Sequence, residues 1–300
     1  MNVTSLNDLN ESNYEQLEIH YHEKQGLLWL TMQPEPRPCF NPTLLKSLSQ
    51  YQHLLRESKG KIPAGGDTKD VKYQVLSSGA AGVFNYGGDL GLFMELIKKR
   101  DRNGMLRYAK ACIDVLYPNI VSYNLPITTI SLVQGSALGG GFEAALSSNV
   151  IIAERQAEFG LPEIFFNLFP GMGAYSMLAR KVSPILAEKM ILSGRIYSAE
   201  ELHEMGVVDV IVDTDQGEEA VYDYIKSHKR QFNGFNAVQT RVRHRVNPIN
   251  YDELLDVCNI WVDTALHLDS RDIRIMQRLV NAQNKQVDAQ QEERDSQSIA

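Results

Sequence analysis

The sequence has few of the features that mark a metalloprotein, a membrane protein or a disulfide-rich secreted protein. Its 300 residues include only three cysteines, Cys39, Cys112 and Cys258, and no CxxC or HxxxH pattern. An odd number of widely spaced cysteines favours reduced structural thiols, so we expect neither a disulfide framework nor a metal site. No apolar run reaches the roughly 18 residues of a membrane-spanning helix, and the polar, acidic N-terminal residues do not match a signal peptide. We therefore expect a cytoplasmic protein with no membrane span.

Positive charge is also scarce overall, although it is locally concentrated. The chain has 30 lysines and arginines against 37 aspartates and glutamates, for a net charge of −7. An acidic chain is a poor non-specific ligand for nucleic acid, so we expect no nucleic-acid partner. The cations gather in two clusters, at residues 98–110 and 226–245. Solvated helix faces are the simpler explanation, and docking of an acidic partner or a phosphate-bearing substrate is the alternative.

The hydrophobic pattern predicts strands that alternate with helices, followed by a helical C-terminal region. Apolar runs predict strands at 18–23, 27–32, 71–77, 127–133, 150–153, 158–160 and 207–212. Helical periodicity predicts helices at 42–58, 90–99, 101–123, 172–181, 184–193 and 198–205, and residues 60–69 are expected to form a loop. The fold class is α/β, with a loose N-terminal segment (1–16), a core (17–215), a C-terminal helical region (216–288) and a disordered tail (289–300).

Two glycine-rich stretches lie where a predicted strand passes into a helix. The first contains Gly87 and Gly88, and the second is the triplet Gly139-Gly140-Gly141. Glycine is a poor helix former, so a triplet at a helix start suggests that backbone N–H groups must approach something closely. Two N–H groups at helix N-termini that converge on one point would form an oxyanion hole. Tight turns are the alternative explanation for each stretch.

Two acidic residues stand among apolar neighbours close to the second glycine stretch. Glu143 lies between Phe142 and Ala144, and Glu163 precedes an apolar run that starts at Ile164. Apolar surroundings raise the pKa of a carboxyl group, and a like-charged neighbour raises it further. One protonated and one ionised carboxyl are the equipment for general acid and general base catalysis. The alternative is that each acid caps a turn or pairs with an arginine.

The run that contains both acids, from Gly135 (GSALGGGFEAALSS) to Ala174 (FFNLFPGMGA), resembles the signature of the crotonase (enoyl-CoA hydratase/isomerase) superfamily. The segment LSGRIYSAEELHEMGVVDVIV resembles the part of the family that follows it. This resemblance implies a crotonase-like ββα spiral core with an α-helical C-terminal extension and no cofactor. It also implies that Gly88 and Gly140 supply the oxyanion N–H groups, and that Glu143 and Glu163 form the acid/base pair.

Departures from ordinary hydratases refine the expectation. The insertion at 60–70, the long helix at 101–123 and the run at 164–173 are similar to the diffusible-signal-factor synthases. That subfamily is implied to dehydrate a 3-hydroxyacyl chain on acyl carrier protein and then to hydrolyse the thioester, which releases a cis-2-unsaturated fatty acid for quorum sensing. The alternatives are an ordinary enoyl-CoA hydratase of fatty-acid catabolism, which would use CoA, and a non-catalytic interaction protein on the same scaffold. The resemblance also implies a homo-oligomer, by family habit a trimer, and a sensor kinase as a regulatory partner.

A fatty acyl chain requires an apolar slot. The candidates for its lining are the apolar side chains near the motif and in the C-terminal helices: Leu138, Phe165, Phe169, Met172 and Trp261. Ordinary core packing is the alternative for each. We expect Glu163 to act as the base at C2 and Glu143 as the acid for the departing C3 hydroxyl, with the reverse assignment left open because such a pair titrates as a unit.

Overall fold

The computed structural model describes residues 14–64 and 67–298. Its strands are β1 (Leu17–His22), β2 (Leu27–Met32), β3 (Lys61–Ala64), β4 (Asp67–Asp70), β5 (Tyr73–Ser78), β6 (Val83–Asn85), β7 (Thr128–Val133), β8 (Ser136–Leu138), β9 (Val150–Glu154), β10 (Glu158–Gly160), β11 (Ile196–Ser198) and β12 (Val210–Val212). Its helices are α1 (Pro42–Glu57), α2 (Leu90–Lys98), α3 (Arg102–Ile120), α4 (Gly140–Leu146), α5 (Ala174–Lys181), α6 (Pro184–Ser193), α7 (Ala199–Glu204), α8 (Gly217–His228), α9 (Phe232–Asn236), α10 (Arg243–Val246), α11 (Tyr251–Ala265) and α12 (Ser270–Ser298).

The larger sheet has six strands in the order β1-β2-β5-β7-β9-β12. The pair β1–β2 is antiparallel, and the other neighbours are parallel. Every residue of β7 is buried, as is typical of a central parallel strand with both faces covered. One face packs against α8 through Val221 and Ile225, and the other face belongs to the main apolar core.

The smaller sheet positions the motifs that the sequence singles out. Its order is β11-β10-β8-β6, and β6, β8 and β10 run parallel to one another. The carboxyl ends of parallel strands lie at one edge of a sheet. The segments that follow these three strands carry Gly88, Gly140 and Glu163, so the sheet brings the two glycine junctions and the second glutamate together.

The helices close this edge. Asp89 caps α2 by accepting from the N–H groups of Gly91 and Leu92, while Glu163 lies in a short 3-10 helix, Pro162–Phe166. Helix α11 packs against α3, and α12 packs against α2 and the 3-10 helix. The fold is therefore α/β with C-terminal helices, which confirms the predicted fold class.

Several local predictions differ from the structure. Strands β3 (Lys61–Ala64) and β4 (Asp67–Asp70) pair as an antiparallel ribbon where a loop was predicted, because Ile62 is fully buried although the local composition is typical of a loop. The sequence does not predict strands β6, β8 and β11, because three residues each are too few to show a hydrophobic period. Helix α3 ends at Ile120, and a 3-10 turn follows it.

The two ends of the chain differ from expectation as well. The predicted disordered tail at 289–300 continues α12 as far as Ser298, since it is rich in the helix formers glutamine, glutamate and arginine. Most of the predicted loose segment, residues 1–13, lies outside the described residues. Its last residues are held by the core: Ser47 donates to Glu15 O at 2.6 Å, and Asn41 donates to the Gln16 side chain at 2.8 Å.

Candidate active site

The two glycine-rich junctions touch each other at the ends of β6 and β8. A Cβ atom on Gly87 would lie 2.6 Å from Gly140 N, and one on Gly141 would lie 2.0 Å from Asn85 O. Gly87 also has a φ of +92°, a conformation that side chains rarely allow. Close backbone packing between the junctions therefore explains why these positions hold glycine.

Each junction places one glycine with an unpaired backbone N–H group in the wall of a shared cavity, as far as the described residues show. The C=O and N–H groups of a trans peptide point in opposite directions. Gly87 O accepts the N–H of Phe40 at 2.7 Å, so the N–H of Gly88, on the same peptide, points away from Phe40. The N–H of Gly140 is the first of α4, where N-terminal N–H groups lack an intrahelical partner. Within residues 14–64 and 67–298 neither N–H donates to a protein acceptor, and both glycines line the cavity.

Glu143 lies one turn into α4 and is only 1% exposed. Its Oε1 accepts the N–H groups of Met172 at 2.8 Å and Ala174 at 2.9 Å. Burial raises the pKa of Glu143 to about 7, and these N–H donors oppose part of the rise. Glu143 does cap a turn, as the alternative proposed, but its pKa near neutrality also suits an acid or base.

Glu163 enters the same cavity from the 3-10 helix. Its Oε1 lies above Gly139, where a Cβ atom would stand 2.5 Å away. Its Oε2 is buried, with no hydrogen-bond partner in the described part of the chain. Burial, and then the negative charge of Glu143, raise the pKa of Glu163 to about 8. No arginine or lysine contributes to the pKa shift of either glutamate, which argues against the ion-pair alternative.

The cavity above the two glutamates has a volume of about 260 Å³. Four of the five predicted pocket residues line it: Leu138, Phe165, Met172 and Trp261. Phe165 is 57% exposed and therefore lies at the rim. The prediction for Phe169 was wrong, because this side chain packs partly buried against the main core instead of lining the cavity.

Sequence reasoning missed several lining residues that come from distant segments: Tyr86, Phe93, Tyr108, Cys112, Leu279 and Gln283. Phe93, Tyr108 and Cys112 lie on helices. The sequence pattern of an apolar helix face is the same whether the face borders a cavity or packs into a core. Tyr86 could have been found, since it directly precedes the first glycine pair. Leu279 and Gln283 lie on α12, and only its packing against α2 and the 3-10 helix brings them near.

The two cation clusters differ in their relation to the cavity. Helix α3, which carries three of the six cations of the cluster at 98–110, also contributes Tyr108 and Ala109 to the cavity wall, whereas no residue of 226–245 lines it. Four cations of the first cluster are paired with acids, as Lys99–Glu95, Arg102–Asp263, Arg107–Asp101 and Lys110–Asp114. The cluster beside the cavity is therefore largely neutralised by its own neighbours.

The part of the chain that the structure describes contains no group of three or more His, Cys, Asp or Glu side chains arranged to hold a metal ion. Nor does any helix in that part combine the length and apolar character that crossing a bilayer requires. The three cysteines are free and buried.

Comparison with known proteins identifies one family. The family model described as enoyl-CoA hydratase/isomerase matches residues 32–254, a span that contains Gly88, Gly140, Glu143 and Glu163. The 2,3-dehydroadipyl-CoA hydratase of Escherichia coli (strain K12) is 31% identical over 199 residues, which cover 66% of this chain and 70% of that protein. The mitochondrial methylglutaconyl-CoA hydratase of Rattus norvegicus is 27% identical over 194 residues, which cover 65% of this chain and 59% of that protein.

Solved structures share the fold at lower identity. DspI of Pseudomonas aeruginosa has a TM-score of 0.65 and 23% identity, covering 79% of this chain and 90% of its own. An enoyl-CoA hydratase of Bacillus halodurans has a TM-score of 0.73 and 17% identity, covering 88% of this chain and 100% of its own. At these identities the likeness concerns the fold alone.

Proposed function

This chain belongs to the enoyl-CoA hydratase/isomerase family, the crotonase superfamily, and from that membership we propose a specific activity. The enzyme dehydrates a 3-hydroxyacyl thioester on acyl carrier protein to a cis-2-enoyl thioester. It then hydrolyses the thioester and releases a cis-2-unsaturated fatty acid, which makes it a diffusible-signal-factor synthase for quorum sensing. The proposal extends the hydratase-type chemistry of the family by a thioesterase step.

One observation carries the proposal. Two buried glutamates with pKa values of about 7 and about 8 line the same apolar cavity as two backbone N–H groups that have no acceptor among the described residues. A thioester carbonyl bound by the N–H groups of Gly88 and Gly140 would hold its C2 and C3 atoms beside the glutamates. Losing one oxyanion donor typically costs about 3–4 kcal/mol of barrier, so this arrangement supplies a large share of the catalysis.

The first step removes water from the substrate. Ionised Glu163 takes a proton from C2, and the resulting enolate oxygen is stabilised by the two N–H groups. Protonated Glu143 gives its proton to the C3 hydroxyl, the C3–O bond breaks, and water leaves. After this step Glu163 holds a proton and Glu143 is ionised. The two carboxyls share one proton, so this assignment requires that the proton lies on Glu143 when the hydroxylated substrate binds.

The second step consumes a water and restores the starting state. Ionised Glu143 takes a proton from water, and the oxygen attacks the thioester carbonyl, whose negative charge again falls on the N–H groups. The C–S bond then breaks, and Glu163 returns its proton to the leaving thiolate. The products are the free unsaturated acid and the carrier thiol. Both glutamates end in their starting protonation states, so the pair holds one proton before and after each step.

The nature of the carrier is also part of the proposal. The apolar lining of the cavity supports a fatty acyl group as substrate. Lys98 and Arg100 form no ion pair with a described residue, unlike their neighbours on α3, and they are candidates for contact with an acidic carrier protein. The resemblance of residues 164–173 to signal synthases favours carrier protein over CoA, and it also supports the cis product. The trimer, the sensor kinase partner and the cytoplasmic location stay predictions.

An ordinary enoyl-CoA hydratase is the second candidate, and the names of the relatives favour it. The proteins from Escherichia coli and rat are both called CoA hydratases. Such an enzyme would use the same glutamates and N–H groups, but it would interconvert enoyl and 3-hydroxyacyl CoA without releasing free acid.

Mass spectrometry of the products separates these candidates. The protein is incubated with 3-hydroxydodecanoyl-acyl carrier protein and, separately, with the CoA thioester, beside a Glu143→Gln/Glu163→Gln variant. We expect free cis-2-dodecenoic acid from the carrier substrate and none from the variant. Interconversion of CoA thioesters without free acid would instead identify an ordinary hydratase. Equal rates for the wild type and the variant would identify a non-catalytic protein.

A further inference from the structure

Tyr108 holds the backbone next to Gly88 from a distant helix. This residue lies on α3 and is 7% exposed. Its Oη accepts the N–H of Asp89 at 3.0 Å and donates to Phe40 O at 2.5 Å. The hydroxyl therefore stands between two backbone groups, from segments that the structure pairs as an isolated parallel bridge of Phe40 with Gly88.

These contacts fix both peptide planes that meet at Gly88. The plane before it is held through Gly87 O, which accepts the N–H of Phe40 at 2.7 Å. The plane after it is held through the N–H of Asp89, which Tyr108 binds. Glycine has unusual freedom in φ and ψ, so without both contacts the peptide that carries the Gly88 N–H could rotate. Phe40 and Tyr108 together determine where that N–H points.

We propose that Tyr108 is a positioning residue that aims the Gly88 N–H at the carbonyl oxygen of the bound thioester. The inference rests on the proposed oxyanion role of Gly88 and adds a residue that the sequence motif does not contain. Tyr108 acts through the backbone and needs no contact with the substrate.

The hydroxyl and the ring of Tyr108 have separable roles. The ring packs edge-to-face on Phe93 with 5.0 Å between centroids. Phe93 in turn covers Gly88, where a Cβ atom would lie 2.5 Å from Phe93 Cζ. Tyr108→Phe keeps this wall and removes only the oxygen, so it isolates the aiming of the N–H from the shape of the cavity.

The C=O stretching frequency of a bound thioester reports directly on the orientation of the Gly88 N–H. A thioester labelled with ¹³C at its carbonyl is bound to the inactive Glu143→Gln/Glu163→Gln protein, and its C=O stretch is measured by isotope-edited infrared or Raman difference spectroscopy. Two aligned donors are expected to lower the stretching frequency relative to the free thioester. Adding Tyr108→Phe is expected to return the band about halfway to its free position, because one of the two donors is misaligned.

Tyr251→Phe is the matched control. Tyr251 lies on α11, and its Oη donates to Asp114 on α3 at 2.6 Å. The control therefore removes one hydroxyl that is hydrogen-bonded to the helix carrying Tyr108, without touching the segment at Gly88. With Tyr251→Phe added, the band should match that of the Glu143→Gln/Glu163→Gln protein without a further substitution. A band unmoved by Tyr108→Phe, or moved equally by both variants, would overturn the inference.

Kinetics provide a second test in the active enzyme. Tyr108→Phe should lower kcat about tenfold and leave KM within about twofold, since an oxyanion donor acts mainly in the transition state. A rise in KM with unchanged kcat would contradict the positioning role.

The inference can still be tested if Tyr108→Phe does not fold or if the bound thioester shows no band shift. If Tyr108→Phe does not fold, 3,5-difluorotyrosine at position 108 keeps the ring and hydroxyl while weakening the oxygen as an acceptor. It should give an intermediate band, and a wild-type band there would overturn the inference. If the thioester bound to the Glu143→Gln/Glu163→Gln protein gives the same C=O band as the free thioester, the oxyanion role of Gly88 fails, and the inference fails with it.

Discussion

The carboxylate of Glu163 lies directly over the Cα atom of Gly139. A Cβ atom on Gly139 would stand 2.5 Å from Glu163 Oε1, closer than real Cβ atoms approach. Gly139 also has a φ of +52° immediately before α4. The first glycine of the triplet therefore leaves room for a catalytic candidate. Gly140 carries the proposed N–H donor, and Gly141 allows the close packing on Asn85.

Gly139→Ala is expected to displace the carboxylate of Glu163 and to reduce kcat/KM by about 10²–10⁴-fold, the usual worth of a general acid or base. Gly206→Ala is the matched control, because Gly206 has a φ of +76° and no atom of the described residues lies within 4 Å of the added Cβ. Both substitutions should cost about 1 kcal/mol of stability through backbone strain. Steady-state kinetics and urea unfolding measure the two effects. Equal activity in the two variants would mean that Gly139 is needed only for its φ.

The central residues of the site could be predicted from the sequence because they are local in it. Gly140, Glu143 and Glu163 lie within one run, and the structure brings them to a common cavity together with Gly88. Their roles stay predictions until they are tested. Phe169 shows the limit of this reasoning. It lies in the same run as Phe165 and Phe166, but which of several neighbouring aromatics faces a cavity depends on the path of the turn.

Long-range packing accounts for what the sequence could not predict. Tyr108 binds the N–H of Asp89, the residue after Gly88, from nineteen residues away along the chain, and no local pattern distinguishes its hydroxyl from that of a core tyrosine. Leu279 belongs to the cavity only because α12 folds back over α2. The strands that carry the glycine junctions, β6 and β8, have three residues each and depend on their neighbours in the sheet.

The raised pKa of Glu163 predicts a pH-dependent difference in stability between Glu163→Gln and the wild type. The folded-state pKa of about 8 exceeds the unfolded value of about 4.3, so between these values the folded wild type binds more protons than the unfolded chain. The contribution of this group to stability is complete below about pH 4 and is lost as the pH rises through 8. Glutamine does not titrate, so the variant should gain in stability over the wild type as the pH rises.

Urea midpoints of the two proteins, measured from about pH 5 to about pH 9, test this sign. The midpoint of Glu163→Gln minus that of the wild type should increase up to about pH 8 and level off above it, where the carboxyl is ionised in both states. Glu158→Gln, at an exposed position on β10, is the control for the substitution itself. A flat difference for Glu163→Gln would show that the carboxyl is ionised without cost in the folded state.

The coupling of the two glutamates predicts how one responds to loss of the other. The charge of Glu143 contributes to the raised pKa of Glu163, so Glu143→Gln should lower the pKa of Glu163 below about 8 while burial keeps it above the ordinary value. Carboxyl ¹³C NMR titration of both proteins measures the shift. An unchanged pKa of Glu163 in Glu143→Gln would mean that the two carboxyls do not interact.

The same pair predicts the pH profile of the wild-type enzyme. The value of kcat/KM should be highest between about pH 7 and about pH 8, where the pair holds one proton, and should fall on both sides.

Trp261 is expected to limit the length of the acyl chain. Its indole is 5% exposed and packs edge-to-face on Phe93 with 5.0 Å between centroids. It also fills the space above Gly171, where a Cβ atom would lie 2.5 Å from the ring. Trp261→Phe enlarges the cavity on this side and should raise the ratio of kcat/KM for long over short 3-hydroxyacyl chains by about tenfold.

Competition between thioesters of graded chain length, followed by mass spectrometry, measures that ratio. Phe169→Leu is the control, because Phe169 shares the apolar run but does not line the cavity, and it should leave the ratio unchanged. Both substitutions should cost about 1–3 kcal/mol of stability, so stability alone cannot produce a difference between them. If both variants shift the preference equally, chain length is set by general loosening of the fold, and the wall formed by Trp261 is not the determinant.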